Sequence, residues 1–475
     1  METAVNHWSD SRRVQMIIAL LVAGTLFMEN LDATAITPAM PHMAASFGVL
    51  AVDLHIGVSA YMLTLGIFLP VSGWIANRFG TRRVFVAAIA LFTIASLLCG
   101  LAQTLDQFVA MRIVQGIAGA LMVPVGRLVV LRVTPKEHLI QAIAVLTWPG
   151  LVAFVLGPPI GGLIADYLGW RWIFYLNLPL GLVALVLASK LFPQEKDDTA
   201  TPFDWAGFLL TAGALFCLLW VTEVLGRSHI AWMEVLLYAV IGSVLMIAGV
   251  WHLRRAAHPV IRLDALSIPT FGVAIWGGSL FRMGISAVPF LIPLMFQLGF
   301  GMSATQAGMM LMSVFCGNLM IKPATTPILR RFGFRPVLLV NGVLNVIAIA
   351  ACALFTAEMP IAVMLVILFI GGMTRSMQFT AVNTIAFADV DKKAMSDANA
   401  VFSIAFQLAV GLGVALGAIG IRIGERMNEA LGGGADMPFR IAFVLVAMIA
   451  LLGLIDSWKL APDAGKHLSQ PRKVS

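Results

Sequence analysis

Two carboxyls, Glu29 and Asp32, stand three residues apart inside an apolar stretch near the start of the chain. That spacing puts them on one face of a helix. A carboxyl in apolar surroundings can take up and release a proton, and ionisable groups inside membrane segments mark proton relays and substrate pathways. Polar groups recur within later apolar stretches: Arg112, Arg282, Lys322, Arg375, Gln378, Asn383 and Gln407. Bases at such depth suggest either an anionic or zwitterionic ligand or long-range pairing with Glu29 and Asp32. Other chemistries find no footing. The eight histidines are scattered without ligand spacing, so no metal is expected. Cys99, Cys217, Cys316 and Cys352 lie far apart in apolar runs and read as small core residues. There is no glycine-rich nucleotide cradle and no paired-histidine zinc motif, which argues against a nucleotide-driven pump and an intramembrane enzyme.

The elements that must carry these groups are long and apolar. Of 475 residues, 60% are hydrophobic and 12% charged, with mean hydropathy +0.93. A water-soluble chain carries about 25% charged residues, so the bilayer is the solvent that fits this composition. Segments of helix length fall near 14–38, 53–76, 83–102, 107–131, 139–164, 170–191, 204–223, 232–253, 268–292, 303–326, 335–356, 360–386, 396–423 and 438–460. A membrane span needs about 20 apolar residues, so fourteen spans leave only short loops. Helix is the only state open to them, because an isolated strand leaves its backbone unsatisfied in lipid. With both termini on the cytoplasmic side, 21 of the 31 Lys and Arg residues fall on cytoplasmic segments and five on the opposite face. That asymmetry sets the orientation. It also explains the net charge of +7 without a nucleic-acid partner.

The chain repeats itself. Asn77-Arg78-Phe79-Gly80-Thr81-Arg82-Arg83 follows the second span, and Arg330-Arg331-Phe332-Gly333-Phe334-Arg335-Pro336 follows the tenth, an offset of 253 residues. The same offset carries span 1 onto span 9 and span 4 onto span 12. Spans 1–6 and 9–14 therefore read as two copies of a six-helix unit, with spans 7 and 8 inserted between them.

Several stretches resemble the major facilitator superfamily, which is built from such parallel halves with the substrate site between them near midplane. Gly73 to Arg83 is similar to the family's loop between its second and third helices, with Gly73, Asn77, Arg78, Gly80, Arg82 and Arg83 at the gating positions. It departs at Asn77, where the family usually has aspartate, so a gate charge pair there is weakened. Arg112-Ile113-Val114-Gln115-Gly116 is similar to the family's fourth-helix motif. Gly150, Gly157, Pro158, Gly161 and Gly162 resemble its antiporter motif, which goes with export. Leu31-Asp32-Ala33-Thr34 through Pro41, together with Arg171-Trp172-Ile173-Phe174-Tyr175-Leu176-Asn177-Leu178-Pro179-Leu180-Gly181, resemble the fourteen-span drug:proton antiporter branch and its multidrug exporters.

That resemblance implies an all-α integral membrane fold of fourteen helices, arranged six, two and six, with two pseudo-symmetric bundles around a central cavity. The expected division is an N-terminal bundle at 1–191, an insertion with its linkers at 192–266, a C-terminal bundle at 267–461 and a cytoplasmic tail at 462–475. It implies a secondary transporter, not an enzyme, which exports small molecules by proton antiport and alternating access. The proton gradient supplies the energy and no cofactor is needed. Asp32 is the leading coupling residue, with Glu29 second and Arg112 able to pair with them. Arg282, Lys322, Arg375, Gln378, Asn383 and Gln407 are the cavity candidates. The expected partners are lipid, a small-molecule substrate and the proton, and the expected form is a monomer in a bacterial inner membrane. The runner-up is an exporter of an anionic or zwitterionic metabolite, and after it a transport-inactive sensor or scaffold.

Overall fold

The computed structural model describes residues 12–49, 54–192, 202–226, 231–302, 304–432 and 434–465. Within these residues the chain is helical, without strands. The first group of helices is α1 (Arg12–Phe47), α2 (His55–Phe79), α3 (Thr81–Leu101), α4 (Leu105–Val133), α5 (Leu139–Tyr167), the short α6 (Arg171–Tyr175) and α7 (Asn177–Leu191). Then come α8 (Trp205–Gly226) and α9 (Trp232–Arg255). The last group is α10 (Pro269–Leu294), α11 (Ala304–Met320), α12 (Lys322–Phe332), α13 (Phe334–Cys352), α14 (Ile361–Ile385), α15 (Met395–Leu431) and α16 (Met437–Trp458). The outer ends of the chain, including residues 1–11 and 466–475 of the expected cytoplasmic termini, lie outside the described residues, as does 193–201 of the expected insertion.

Twelve helices are long and apolar enough to cross a membrane, and a thirteenth span is the bent pair Gln306–Met320 and Lys322–Phe332. The remaining segment expected from the sequence, 139–164, falls within α5, a helix of 29 residues whose described apolar stretch is Leu139–Gly150. The expected single rod at 303–326 is instead broken by 49°. The cause lies in Pro323, just past the break. It lacks the N–H that would bond the previous turn, and its ring crowds the carbonyl four residues back. Lys322 sits at that break.

The two groups pack by the same plan. In the first, α1 lies on α5, α2 on α4, and α3 on α4 and α7; in the last, α10 lies on α15, α11 on α14, and α13 on α14 and α16. The repeated turns agree in conformation as well. Gly80 has φ 88° and Gly333 has φ 79°, a left-handed backbone open to glycine at little cost. Helices α8 and α9 pack on each other, and α8 lies along both α2 and α15.

The apolar core is not evenly shared. On the side of the Gly80 and Gly333 turns, one cluster runs through both groups, joining Ile18, Leu131 and Ile143 to Leu329, Phe334 and Phe402. Toward the other side each group has its own cluster. One holds Ala35, Phe108, Trp170 and Phe174, and the other Leu291, Phe296, Phe355 and Phe443.

Candidate functional site

Helix α1 brings Asp32 into the interior of the first group, where it is 1% exposed. Arg112, on α4, is fully buried, and its Nη1 donates to Asp32 Oδ2 at 2.6 Å and to Gln115 Oε1 at 2.7 Å. Gln115 Nε2 donates to Asp32 Oδ1 at 3.1 Å and to Ser96 Oγ at 2.9 Å. Asn177, from the start of α7, donates its Nδ2 to Asp32 Oδ1 at 2.8 Å. Three helices thus converge on one carboxylate, and α3 joins them through Ser96, which accepts from Gln115 and Asn177. A charge pair with no water around it survives only when its remaining lone pairs and protons are also bonded. Gln115 and Asn177 supply most of that, but not all: Arg112 Nη2 and Asn177 Oδ1 have no hydrogen-bond partner.

Glu29 stands one turn away on α1, buried but outside the ion pair. Its Oε1 and the Tyr61 hydroxyl converge over Gly119, where a Cβ would lie 3.4 and 3.1 Å from them. Its Oε2 has no hydrogen-bond donor. Tyr61, on α2, also places its ring under the Arg112 guanidinium, 4.4 Å from the centroid, a favourable cation–π geometry. Tyr61 therefore touches both halves of the network. The sequence singled out Glu29, Asp32 and Arg112, and the structure brings them together; it adds Tyr61, Gln115, Ser96 and Asn177.

The glycines of the antiporter-like motif form the surface on which α1 lies. A Cβ on Gly157 would run into Thr34, and one on Gly161 into the backbone carbonyl of Ala35. Gly150 faces Leu26 and Asn30, while Gly162 lies near Pro38. Pro158 points outward from α5 and is exposed. The face of α5 that holds α1 is thus adjacent to Asp32, with contacts before and after it in the chain. Small residues at such crossings let helix backbones approach closely in lipid.

The loop residues take separate roles. Gly73 packs on α15, its absent Cβ only 2.9 Å from Ser396 Oγ. Asn77 Oδ1 accepts from Arg132 Nη2 at 3.0 Å. Gly80 makes the turn, Arg82 donates to the Ser189 carbonyl, and Arg78 and Arg83 are exposed.

The cavity candidates do not form one group. Arg282 donates to the Ala274 carbonyl and to Asn383 Oδ1, each at 3.1 Å. Lys322 Nζ reaches Thr147 Oγ1 on α5 and Thr380 Oγ1 on α14, each at 3.0 Å, and so ties the two groups of helices together. Gln407 lies beside Gly66 at the contact between α2 and α15. Gln378 is committed to α13, donating to the Leu338 carbonyl and accepting from Asn341, both at 3.0 Å. Arg375 lines a separate hollow inside the last group, with Asn345 and Cys352. Cys99, Cys217 and Cys352 are buried small residues as expected, whereas Cys316 is exposed and not part of the core.

The sequence matches the Major Facilitator Superfamily over residues 22–281 and 274–474. It is 34% identical over 457 residues to "Putative multidrug resistance protein MdtD" of Pectobacterium carotovorum, covering 95% of this chain and 97% of the relative. The protein of the same name from Klebsiella pneumoniae is 35% identical over 391 residues, covering 82% of each chain. Among solved structures, the proton:xylose symporter XylE superposes with a TM-score of 0.65 at 16% identity, covering 98% of each chain. The human organic anion transporter MFSD10 does so with a TM-score of 0.63 at 14% identity, covering 94% of this chain and 99% of its own.

Proposed function

The chain belongs to the Major Facilitator Superfamily and is a multi-pass membrane transporter, and from that premise we propose that it is a proton-coupled antiporter exporting small molecules of the multidrug type. The names of its relatives support the export of drugs. The observation that carries proton coupling is the buried Glu29–Tyr61–Arg112–Asp32 network on α1, α2 and α4.

Its chemistry follows from that geometry. Asp32 accepts hydrogen bonds from Arg112, Gln115 and Asn177. Glu29 Oε2 lacks a donor and has room for a proton. A proton entering the network at Glu29 and passing to Asp32 would neutralise the partner of Arg112 and leave a guanidinium buried without its counter-charge. Breaking a buried pair in that way costs about 3–5 kcal/mol, enough to drive a rearrangement of α1 on the glycine face of α5. Proton loss on the other side would restore the pair. Sequence position favours Asp32 as the coupling site, while the free oxygen favours Glu29 as the first acceptor.

The halves in this reading are residues 1–191 and 267–461, with 192–266 as the insertion and 462–475 as the tail; the repeated helix packing supports the division. Alternating access would rock one half against the other. The apolar cluster common to both on the Gly80 and Gly333 side supports a state closed at that face. The basic turns there favour the cytoplasm, which supports cytoplasmic termini for a protein of a bacterial inner membrane, and the working form in this reading is a monomer.

The test is uptake into proteoliposomes of purified full-length protein under an imposed pH gradient, screened over drug-like cations, neutrals and anions. Gradient-driven accumulation is expected, with Asp32→Asn and Glu29→Gln each slowing it at least about tenfold, the lower range for a proton-transfer group. Substrate counterflow indifferent to pH rejects the coupling, and no transport of any compound favours a sensor or scaffold.

A further inference from the structure

A second group of charges stands apart from the proton network. Arg127, on α4, places its guanidinium 5.3 Å from the centroid of Phe402, and Arg282, on α10, places its own 4.5 Å from that centroid. Two cations thus share one aromatic ring of α15. Among the described residues Arg127 has no side-chain hydrogen-bond partner, and Arg282 Nε has none either. Lys322 adds a third positive charge nearby, with its ammonium bonded only to the hydroxyls of Thr147 and Thr380. Among the described residues, no carboxylate lies within ion-pair distance of any of the three.

These groups meet at one cavity. It lies between the two halves, with Val22, Leu26, Ile143 and Leu146 on one wall and Phe387 and Phe402 on the other. Arg127, Thr147 and Asn383 are its polar lining. Thr147 is the residue that Lys322 holds, and Asn383 the one that Arg282 holds. All three charges therefore bear on the same space, one directly and two through a neutral partner. A buried cation costs several kcal/mol unless it finds an opposite charge. Arg127 lines that space, the buried Arg282 and Lys322 stand behind it, and among the described residues no carboxylate offsets them, so the site lacks a counter-ion. The phenyl ring lessens that cost without removing it.

We propose that the cavity between the halves is an anion site, and that the molecule exported carries an apolar body and a single acidic group seated on Arg127, with Arg282 and Lys322 behind it. A guanidinium with its planar fork of donors unused matches a carboxylate or sulfonate in two parallel hydrogen bonds. The apolar walls take the body of the same molecule, as small-molecule pockets commonly do. A ligand cation is disfavoured by the three like charges. The proposal deepens the export reading by naming the class of substrate.

Equilibrium binding at fixed pH, with no gradient, tests it independently of proton coupling. Full-length protein in nanodiscs is titrated with naphthalene-2-carboxylate, with the neutral 2-naphthamide and with 2-naphthylmethylammonium, which share one ring system and differ in charge. The carboxylate is expected to bind at least about tenfold more tightly than the amide, a difference of about 1.4 kcal/mol, and the ammonium weakest of all. Arg127→Gln is expected to remove the preference for the carboxylate over the amide. Arg127→Lys should keep part of the preference, which separates charge from loss of fold, and Glu29→Gln should keep all of it. Equal or tighter binding of the ammonium, no binding of the carboxylate, or a preference that survives Arg127→Gln overturns the anion site. A protein that passes this test and ignores a pH gradient has lost only the coupling reading; one driven by the gradient that prefers the ammonium has lost only the anion site.

Discussion

At the scale of single residues, Asp32 and Arg112 show why a buried pair has to be judged as a pair. Replacing Arg112 by Met leaves the Asp32 carboxylate with only the amides of Gln115 and Asn177. The loss is expected to be about 3–5 kcal/mol, the range for removing one partner of a buried pair. Asp32→Asn combined with Arg112→Met removes both charges and should unfold closer to the wild type than Arg112→Met does. Thermal unfolding of the purified variants checks this, and losses that simply add would refute it. Glu29, Asp32 and Arg112 were legible because a charge in an apolar run stands out. Their neighbours were not. Gln115 and Asn177 lay inside the quoted family-like stretches, yet nothing in one dimension says that α7 starts beside α1. Tyr61 carried one available sign, as a phenol within an apolar span. Arg127 is not among the residues the sequence singles out, because its importance comes from Phe402, which is 275 residues away.

At the scale of helices, the sequence was read well wherever hydropathy alone decides and less well where proline does. The tenth span illustrates this. Its apolar length was evident, whereas the 49° break depends on Pro323 acting on a helix already packed against α5 and α14. The insertion adds an element with its own pH dependence. At the mouth of α8, Asp204 accepts from the Gly207 N–H at 2.8 Å and the Val260 N–H at 3.2 Å, and lies 2.8 Å from His252 Nε2 on α9. Burial alone would raise its carboxyl, but the hydrogen bonds from Gly207, His252 and Val260 outweigh it and hold the group below the usual carboxylate range. A carboxyl depressed in the folded state stabilises above its unfolded value, about 3.9, and that contribution is lost as pH falls through the folded value. Asp204→Asn is therefore expected to lower the melting temperature throughout pH 5–8 (on the order of a few degrees for about 1 kcal/mol in a large chain). The difference from wild type should close below about pH 4. Melting curves across that range decide it, and a penalty undiminished in acid would show that the carboxylate charge is not what holds α8 to α9.

At the scale of the whole molecule, the two halves meet on one side. Lys322 with Thr147, Asn399 with the Pro124 carbonyl and Arg330 with the Glu137 carbonyl all cross between the halves on the side of the basic turns. Gly73 packs on Ser396 in the same region. Cysteines placed at Gly73 and Ser396 are expected to form a disulfide under mild oxidation and to stop transport reversibly, since the halves could no longer part at that face. Full activity with the crosslink formed would show that this contact does not open during the cycle. The repeat that underlies these halves was readable from two short turns, because Gly80 and Gly333 each serve a left-handed corner that few other residues accept. The one-sided closure was not readable, because it depends on which of two similar packings the chain adopts.

Helix α8 has a consequence for how a lipophilic molecule could arrive. It lies along the line where α2 meets α15, with Leu219 against Gly66, Thr222 against Gly411, and Phe208 beside Phe68. A two-half bundle has two such lines, one on each flank. Here one flank is covered from the bilayer, while the other, between α5 and α11, has no corresponding helix from the insertion among the described contacts. A molecule moving sideways through the lipid toward the cavity would meet a wall on the first flank. The flank without such a cover is the one where Lys322 bonds Thr147.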